Sequence, residues 1–253
     1  MSILTITGLN LDIAWKNKEE NFKKIENKLA SVEADLFLLP EMFSTGFCME
    51  AEEVADRNEE SLIWMKSFAK NKNSAVAGSV SVEDNGKFYN RFYFVFPDSS
   101  FEYYDKRHLF SYSGEDKIYT AGTERKIIDY KGFKILLQVC FDLRFPVFSR
   151  NQNDYDAALY VANWPKSRID AWKSLIKARS IENQAFLFGL NRIGTDGYNL
   201  EYEESSMAYF PDGREISERK SDLITTEWNL DELKEFRSRF PFLKERDEFE
   251  IIP

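Results

Sequence analysis

Leu136-Leu-Gln-Val-Cys-Phe-Asp-Leu-Arg-Phe-Pro146 is the stretch on which the fold turns. The apolar run 135–139 is short and is bounded by Gly132 and Asp142, so it reads as a buried strand. It stops at a cysteine, and polar residues and a proline follow at once. Crevices in α/β sheets open at the carboxyl ends of strands. Cys140 is therefore expected at a sheet rim, on a sharp strand-to-helix turn. A helix starting within residues 143–146 would aim its first N–H groups at the thiol and lower its pKa. A small buried core residue is the competing reading, since that is the ordinary fate of cysteine. This stretch alone leaves both open.

Working outward, Asp35-Leu-Phe-Leu-Leu-Pro40 reads as an inner parallel strand buried on both faces. Glu41 follows it directly, as a rim or capping charge or as a working carboxylate. Before it lie a strand over 3–7 and a helix from Lys16, with Phe22, Ile25, Leu29 and Val32 at helical spacing. A helix over 58–71 precedes three strands, 74–82, 87–96 and 101–105, with a hairpin turn at Asp84-Asn-Gly86. This meander ends in Lys106-Arg-His108, and a polar loop of the kind that is often functional runs over 109–122.

Strands 126–130 and 133–140 make the next hairpin, and a strand over 157–162 ends at Asn163-Trp-Pro165. The helix over 169–183 is expected to line one side with Ala171, Leu175, Ala178 and Ile181 and to pair Arg179 with Glu182 on another. Beyond a strand over 186–190, residues 205–210 and 214–217 are expected to form a hairpin about Pro211-Asp-Gly213. A strand over 223–228 and a helix over 230–239 follow, and the patternless tail 240–253 is a candidate to pack on a partner. Buried strands and helices recur in two halves. That suggests one α/β domain over 1–253, with two sheets face to face and helices outside.

The chain carries a net charge of -9, which argues against nucleic acid or an anionic membrane as partner. The stretch Met1-Ser-Ile-Leu-Thr-Ile-Thr-Gly8 is strand-like, with neither a basic leader nor a long apolar segment, so no secretory signal or membrane span is expected there. Two cysteines, Cys48 and Cys140, are no disulfide framework and suit a reducing cytoplasm. With one histidine, His108, a zinc site is short of ligands. A serine triad or a Cys–His pair would have to use that same histidine. The scarcity points to a carboxylate as the base for any cysteine nucleophile.

Glu41, Lys106 and Cys140 each end an apolar run and begin an irregular one. If they meet in one crevice, the chemistry is coherent. A thiol needs a base to become a strong nucleophile. A carboxylate in a dry pocket can take and return a proton near neutrality. An ammonium beside them would stabilise the oxyanion formed by attack on a carbonyl.

Leu39-Pro-Glu41, Tyr104-Asp-Lys106-Arg-His-Leu-Phe110 and Val139-Cys-Phe-Asp-Leu-Arg-Phe-Pro146 resemble the three catalytic motifs of the nitrilase superfamily of carbon–nitrogen hydrolases. Pro40-Glu-Met-Phe-Ser-Thr-Gly-Phe47, Tyr160-Val-Ala-Asn-Trp-Pro165 and Ala178-Arg-Ser-Ile-Glu-Asn-Gln-Ala185 resemble the omega-amidase branch, which hydrolyses the terminal amide of 2-oxo acid amides such as 2-oxoglutaramate and 2-oxosuccinamate. The resemblance implies a four-layer α-β-β-α sandwich of two mixed, six-stranded sheets with outer helices, commonly a homodimer. It implies Cys140 as nucleophile, Glu41 as general base and then acid, and Lys106 and the Phe141 N–H at the oxyanion. It also implies a supporting Glu115, a small-molecule amide as partner, and neither metal nor organic cofactor. Arg144, Lys166, Arg168 and Arg192 are the candidates for a substrate carboxylate, and Phe43, Trp164 and Tyr160 for the pocket wall. A nitrilase proper, an N-carbamoyl hydrolase and a catalytically silent binding protein on the same fold are the competing readings.

Overall fold

A computed structural model describes residues 2–251. Its first half runs β1 (Ile3–Leu9), α1 (Lys18–Leu29), β2 (Leu36–Leu38), α2 (Ala51–Val54), α3 (Glu60–Lys72), β3 (Ala75–Asp84), β4 (Lys87–Val95), β5 (Phe101–Asp105) and α4 (Glu115–Ile118). The middle runs β6 (Ile127–Tyr130), β7 (Phe133–Val139), α5 (Pro146–Ser149), β8 (Ala157–Ala162), α6 (Ile169–Asn183) and β9 (Phe186–Asn191). The last part holds β10 (Gly194–Thr195), β11 (Glu201–Tyr202), β12 (Met207–Tyr209), β13 (Glu218–Lys220), β14 (Leu223–Asn229) and α7 (Leu230–Arg239).

Two mixed sheets result. One has seven strands in the order β13-β14-β1-β2-β3-β4-β5, the other five in the order β12-β9-β8-β7-β6. Strand alternation then builds the layers, because successive side chains point to opposite faces. From β7, Ile135, Leu137 and Val139 point at the other sheet and meet Leu36, Leu38, Phe92 and Phe94 in one core. Leu136, between them, points the other way and packs with Trp172 and Ile176 of α6. On the far side Phe37, Leu39 and Val76 bury against Ile25 of α1 and Leu62 and Met65 of α3. The order is helix, sheet, sheet, helix, as expected.

The expected six-and-six division is instead seven and five, with β10 and β11 as a separate ribbon. The reason lies after Gly213. Residues 214–216 do turn back on β12 as a short hairpin arm, with Phe210 N–H donating to the Arg214 carbonyl at 2.9 Å and Ile216 N–H to the Ala208 carbonyl at 2.8 Å about the Tyr209–Glu215 bridge, but the arm does not extend into a sixth strand of that sheet. The chain instead crosses over, and β13 pairs with β14 at the edge of the other sheet.

The α6 bounds match the expectation, and Arg179 does pair with Glu182 at 2.9 Å. The expected stripe matches only in part, with Ala171 and Leu175 packed at the margin of the core beneath the helix. Trp172, Ile176, Arg179, Ser180 and Asn183 are buried, whereas Ile181 is 46% exposed. Two stripes one residue apart compete on this helix, and the bulkier one wins because β9 offers Gly189 beneath it. A Cβ there would come within 2.5 Å of Ile176 and 3.0 Å of Trp172. The missing side chain lets the helix sit close. The tail packs on its own chain: Leu243 N–H donates to Gln184 at 3.2 Å, and Ile251 lies against the main core. Residues 252 and 253 lie outside the described part. No described helix is long and apolar enough to cross a membrane.

Candidate active site

Glu41, Lys106 and Cys140 each stand just beyond a strand, in turns after β2, β5 and β7. The first two strands belong to one sheet and the third to the other, so the three meet where the carboxyl ends of the two sheets face each other. The turns are tight. Cys140 has φ +46° and Met42, next to Glu41, has φ +45°. Left-handed backbone at a residue with a side chain costs about 1 kcal/mol or more. It persists only where the surroundings hold it.

Asp142 holds the cysteine turn. It is fully buried and accepts four hydrogen bonds: Val139 N–H at 2.9 Å, Tyr104 hydroxyl at 2.8 Å, His108 N–H at 3.0 Å and His108 Nδ1 at 2.7 Å. The cysteine turn and the segment after Lys106 are thereby tied to one carboxylate. Arg179 adds a tie from α6, donating to the Leu143 carbonyl at 2.6 Å.

Lys106 is the hub of the polar cluster. Its ammonium donates to Glu41 Oε1 at 2.9 Å and to both oxygens of Glu115, at 3.0 and 2.9 Å. All three side chains are buried. Burial alone would push the ammonium down, but Glu115 and Glu41 outweigh it and hold Lys106 above the ordinary lysine range. Burial pushes Glu115 up, and the Lys106 charge only partly opposes it. Glu115 sits in α4, inside the segment read as a polar loop, and Phe110 N–H donates to it at 2.6 Å.

Cys140 is partly buried at the floor of a cavity of about 560 Å³. Burial, and after it the Glu41 charge, pushes the thiol well above the ordinary thiol range, with Lys106 pulling back in part. This corrects the expected lowering. The turn after Cys140 is a 3-10 helix spanning Cys140–Arg144, too short to gather much of a dipole, while two carboxylates stand close by. These surroundings favour the neutral thiol over the thiolate, so a base beside the sulfur has a proton to take.

Phe47, Phe110, Phe141, Trp164 and Leu200 give the cavity an apolar wall, with Arg144 and Arg168 among its polar lining. Arg144 lies over the Trp164 ring at 5.0 Å and Arg168 over the Phe110 ring at 5.1 Å. Four expected residues are elsewhere. Phe43 is buried with Phe22 and Trp64 in the outer helix layer, because its side chain leaves the Glu41 turn on the side away from the cleft. Lys166 is exposed and pairs with Glu201 at 3.2 Å. Arg192 is buried and donates to main-chain carbonyls, among them Ile193 at 3.0 Å. Tyr160 packs in the core beneath α6.

Sequence reasoning missed Asn90, whose amide donates to Glu41 and Glu115, and the cavity wall of Asp196, Tyr198 and Tyr202. An asparagine inside an otherwise aromatic strand, Phe88-Tyr-Asn-Arg-Phe92, was the available signal. Asn163 was noticed only as a polar strand end; its N–H donates to Glu41 Oε2 at 2.8 Å. Among the described residues no three of His, Cys, Asp and Glu are arranged to hold a metal ion.

Comparison with known proteins fits this geometry. The carbon–nitrogen hydrolase family profile matches residues 5–238. Omega-amidase YafV of Yersinia enterocolitica is 40% identical, over 100% of both chains. The 2-oxoglutaramate amidase of Bacillus subtilis is 35% identical, over 94% of this chain and 95% of its own. Among solved structures, XC1258 of Xanthomonas campestris, a CN-hydrolase superfamily protein with an arsenic adduct in its active site, superposes with a TM-score of 0.96 at 36% identity, covering 99% of this chain and 100% of that one. This chain, then, belongs to the carbon–nitrogen hydrolase family, in its omega-amidase branch.

Proposed function

We propose that this enzyme hydrolyses the terminal amide of a 2-oxo acid amide, such as 2-oxoglutaramate or 2-oxosuccinamate, to ammonia and the 2-oxo dicarboxylic acid. The observation that carries the reading is the buried Glu41–Lys106–Glu115 cluster set behind Cys140, which lines an apolar cavity. Glu41 takes the thiol proton as sulfur attacks the amide carbon. Lys106 and the Phe141 N–H stabilise the oxyanion, and Glu115 holds the ammonium in place. Glu41 returns the proton to nitrogen, the C–N bond breaks and ammonia leaves. Water, deprotonated by Glu41, then cleaves the thioester and restores the thiol. One amide and one water become one carboxylic acid and one ammonia.

At the other end of the substrate, Arg144 and Arg168 supply positive charge for the carboxylate and 2-oxo group. Each rests on an aromatic face and neither is paired with a carboxylate among the described residues, which leaves their donors for a ligand. Two free thiols suit a cytoplasmic setting, and exposed apolar side chains such as Val147 and Ile181 suit a homodimer, checked by sedimentation. The deciding assay compares ammonia release from 2-oxoglutaramate, 2-oxosuccinamate, glutamine and a nitrile. Turnover of the oxo-acid amides, with an acyl adduct on Cys140 in quenched samples, is expected. Faster turnover of the nitrile, or none of the oxo-acid amides, refutes the assignment.

A further inference from the structure

We infer that Asn90 and Ser79 are positioning residues that commit proton transfer to one oxygen of Glu41, an inference that rests on Glu41 being the base. Asn90 is fully buried in β4, beside Lys106, whose N–H donates to the Asn90 carbonyl at 3.0 Å. The Ser79 hydroxyl donates to Asn90 Oδ1 at 2.8 Å, which fixes the amide. Flipped, Asn90 would set its oxygen against two carboxylates. As placed, Nδ2 donates to Glu41 Oε1 at 2.8 Å and to Glu115 Oε1 at 3.2 Å. Ser79 Oγ in turn accepts from Met42 N–H at 3.0 Å, in the same turn as Glu41. The links Met42–Ser79–Asn90–Glu41 close a ring around the base and the strained turn that carries it.

Counting lone pairs shows what the ring does. A carboxylate offers about four acceptor positions. On Glu41, Oε1 is filled by Lys106 at 2.9 Å and Asn90 at 2.8 Å. Oε2 accepts the Asn163 N–H at 2.8 Å, while the Asn163 amide stands off at 3.5 Å. One position stays open, on Oε2, and the Cys140 proton goes there. Asn90 also supplies the second donor that two buried carboxylates need when they share a single ammonium. Without it, Glu41 and Glu115 face each other across Lys106 alone, beside the neutral Cys140, and proton uptake is the cheapest relief.

The test uses Asn90→Leu, of similar size but without donors, and Ser79→Ala, which frees the amide and releases the Met42 N–H while leaving the Asn90 donors in place. Losing a hydrogen bond to a charged group predicts a fall in kcat of about 10- to 100-fold for Asn90→Leu, with KM little changed. Donors stabilise the charged carboxylates, so their removal lets the pair protonate earlier as pH falls. The acid limb of kcat/KM therefore moves to higher pH. Ser79→Ala is expected to shift both readouts the same way by less, and it carries the test if Asn90→Leu does not fold by circular dichroism. Wild-type kcat in both variants, or a loss of kcat with an unmoved acid limb, overturns the inference. Glu41→Gln is assayed alongside. If it stays active, the base assignment itself fails; if it is dead while both other variants match wild type, only the role of Asn90 and Ser79 falls.

Discussion

Replacing Asp142 with asparagine keeps the shape of the side chain and removes its charge, which tests how the strained cysteine turn is held. Four donors converge on this carboxylate, from Val139 and Tyr104 on Oδ2 and from His108, twice, on Oδ1. An amide can keep only one oxygen. The least costly orientation turns its NH2 toward His108, because the partly exposed imidazole can switch tautomer and accept. The His108 N–H is then left facing a donor, and the other bonds lose their charge assistance. One orphaned buried donor and weakened neighbours cost about 2–4 kcal/mol. A domain with roughly 5–15 kcal/mol of stability survives that loss. At a urea slope of about 3 kcal/mol per molar, the midpoint should fall by roughly 1 M. Because Cys140 is held at φ +46° by this network, kcat should drop with KM little altered. Asp142→Ala, which orphans all four donors, should be worse on both counts. A midpoint and a kcat indistinguishable from wild type in Asp142→Asn would show that the turn is held by something else.

Alkylation of Cys140 by iodoacetamide should have a pH inflection above the ordinary thiol range, moved down by Glu41→Gln and up by Lys106→Met, since those charges act on the thiol in opposite directions; an inflection indifferent to both refutes the electrostatic account. The same thiol makes folding pH-dependent. Above about pH 9 the unfolded chain has lost this proton and the folded one has kept it, so stability falls as pH rises, and Cys140→Ala should flatten that slope in urea titrations. Gly189→Ala should cost about 1–3 kcal/mol by overpacking against Ile176, and Ile176→Val in the same chain should recover part of it. Arg144→Met should raise KM for an oxo-acid amide more than for a neutral amide, whereas Lys166→Met, at an exposed ion pair, should leave both unchanged.

The sequence by itself determined the buried strands and what stands at their ends, while the short β10, β11 and β13 went unread. Apolar runs that stop at Glu41, Lys106 and Cys140 are local patterns, and hydrophobic periodicity reads local patterns well, as the bounds of α6 and α7 show. The short helices α2 and α4 escaped because a single turn has no period to detect. Only the tertiary structure decided which stripe of α6 faces inward, a choice made by Gly189 on another element. It also sent Phe43 into the helix layer and carried β13 across to the other sheet, since neither side-chain direction nor sheet membership is written in spacing along one strand. The same holds for the proton chemistry. The upward push on the Cys140 thiol, and the link that Asn90 makes between Glu41 and Glu115, depend on charges and donors brought together from both sheets, and burial sets the sign of a pKa shift only once those neighbours are in place.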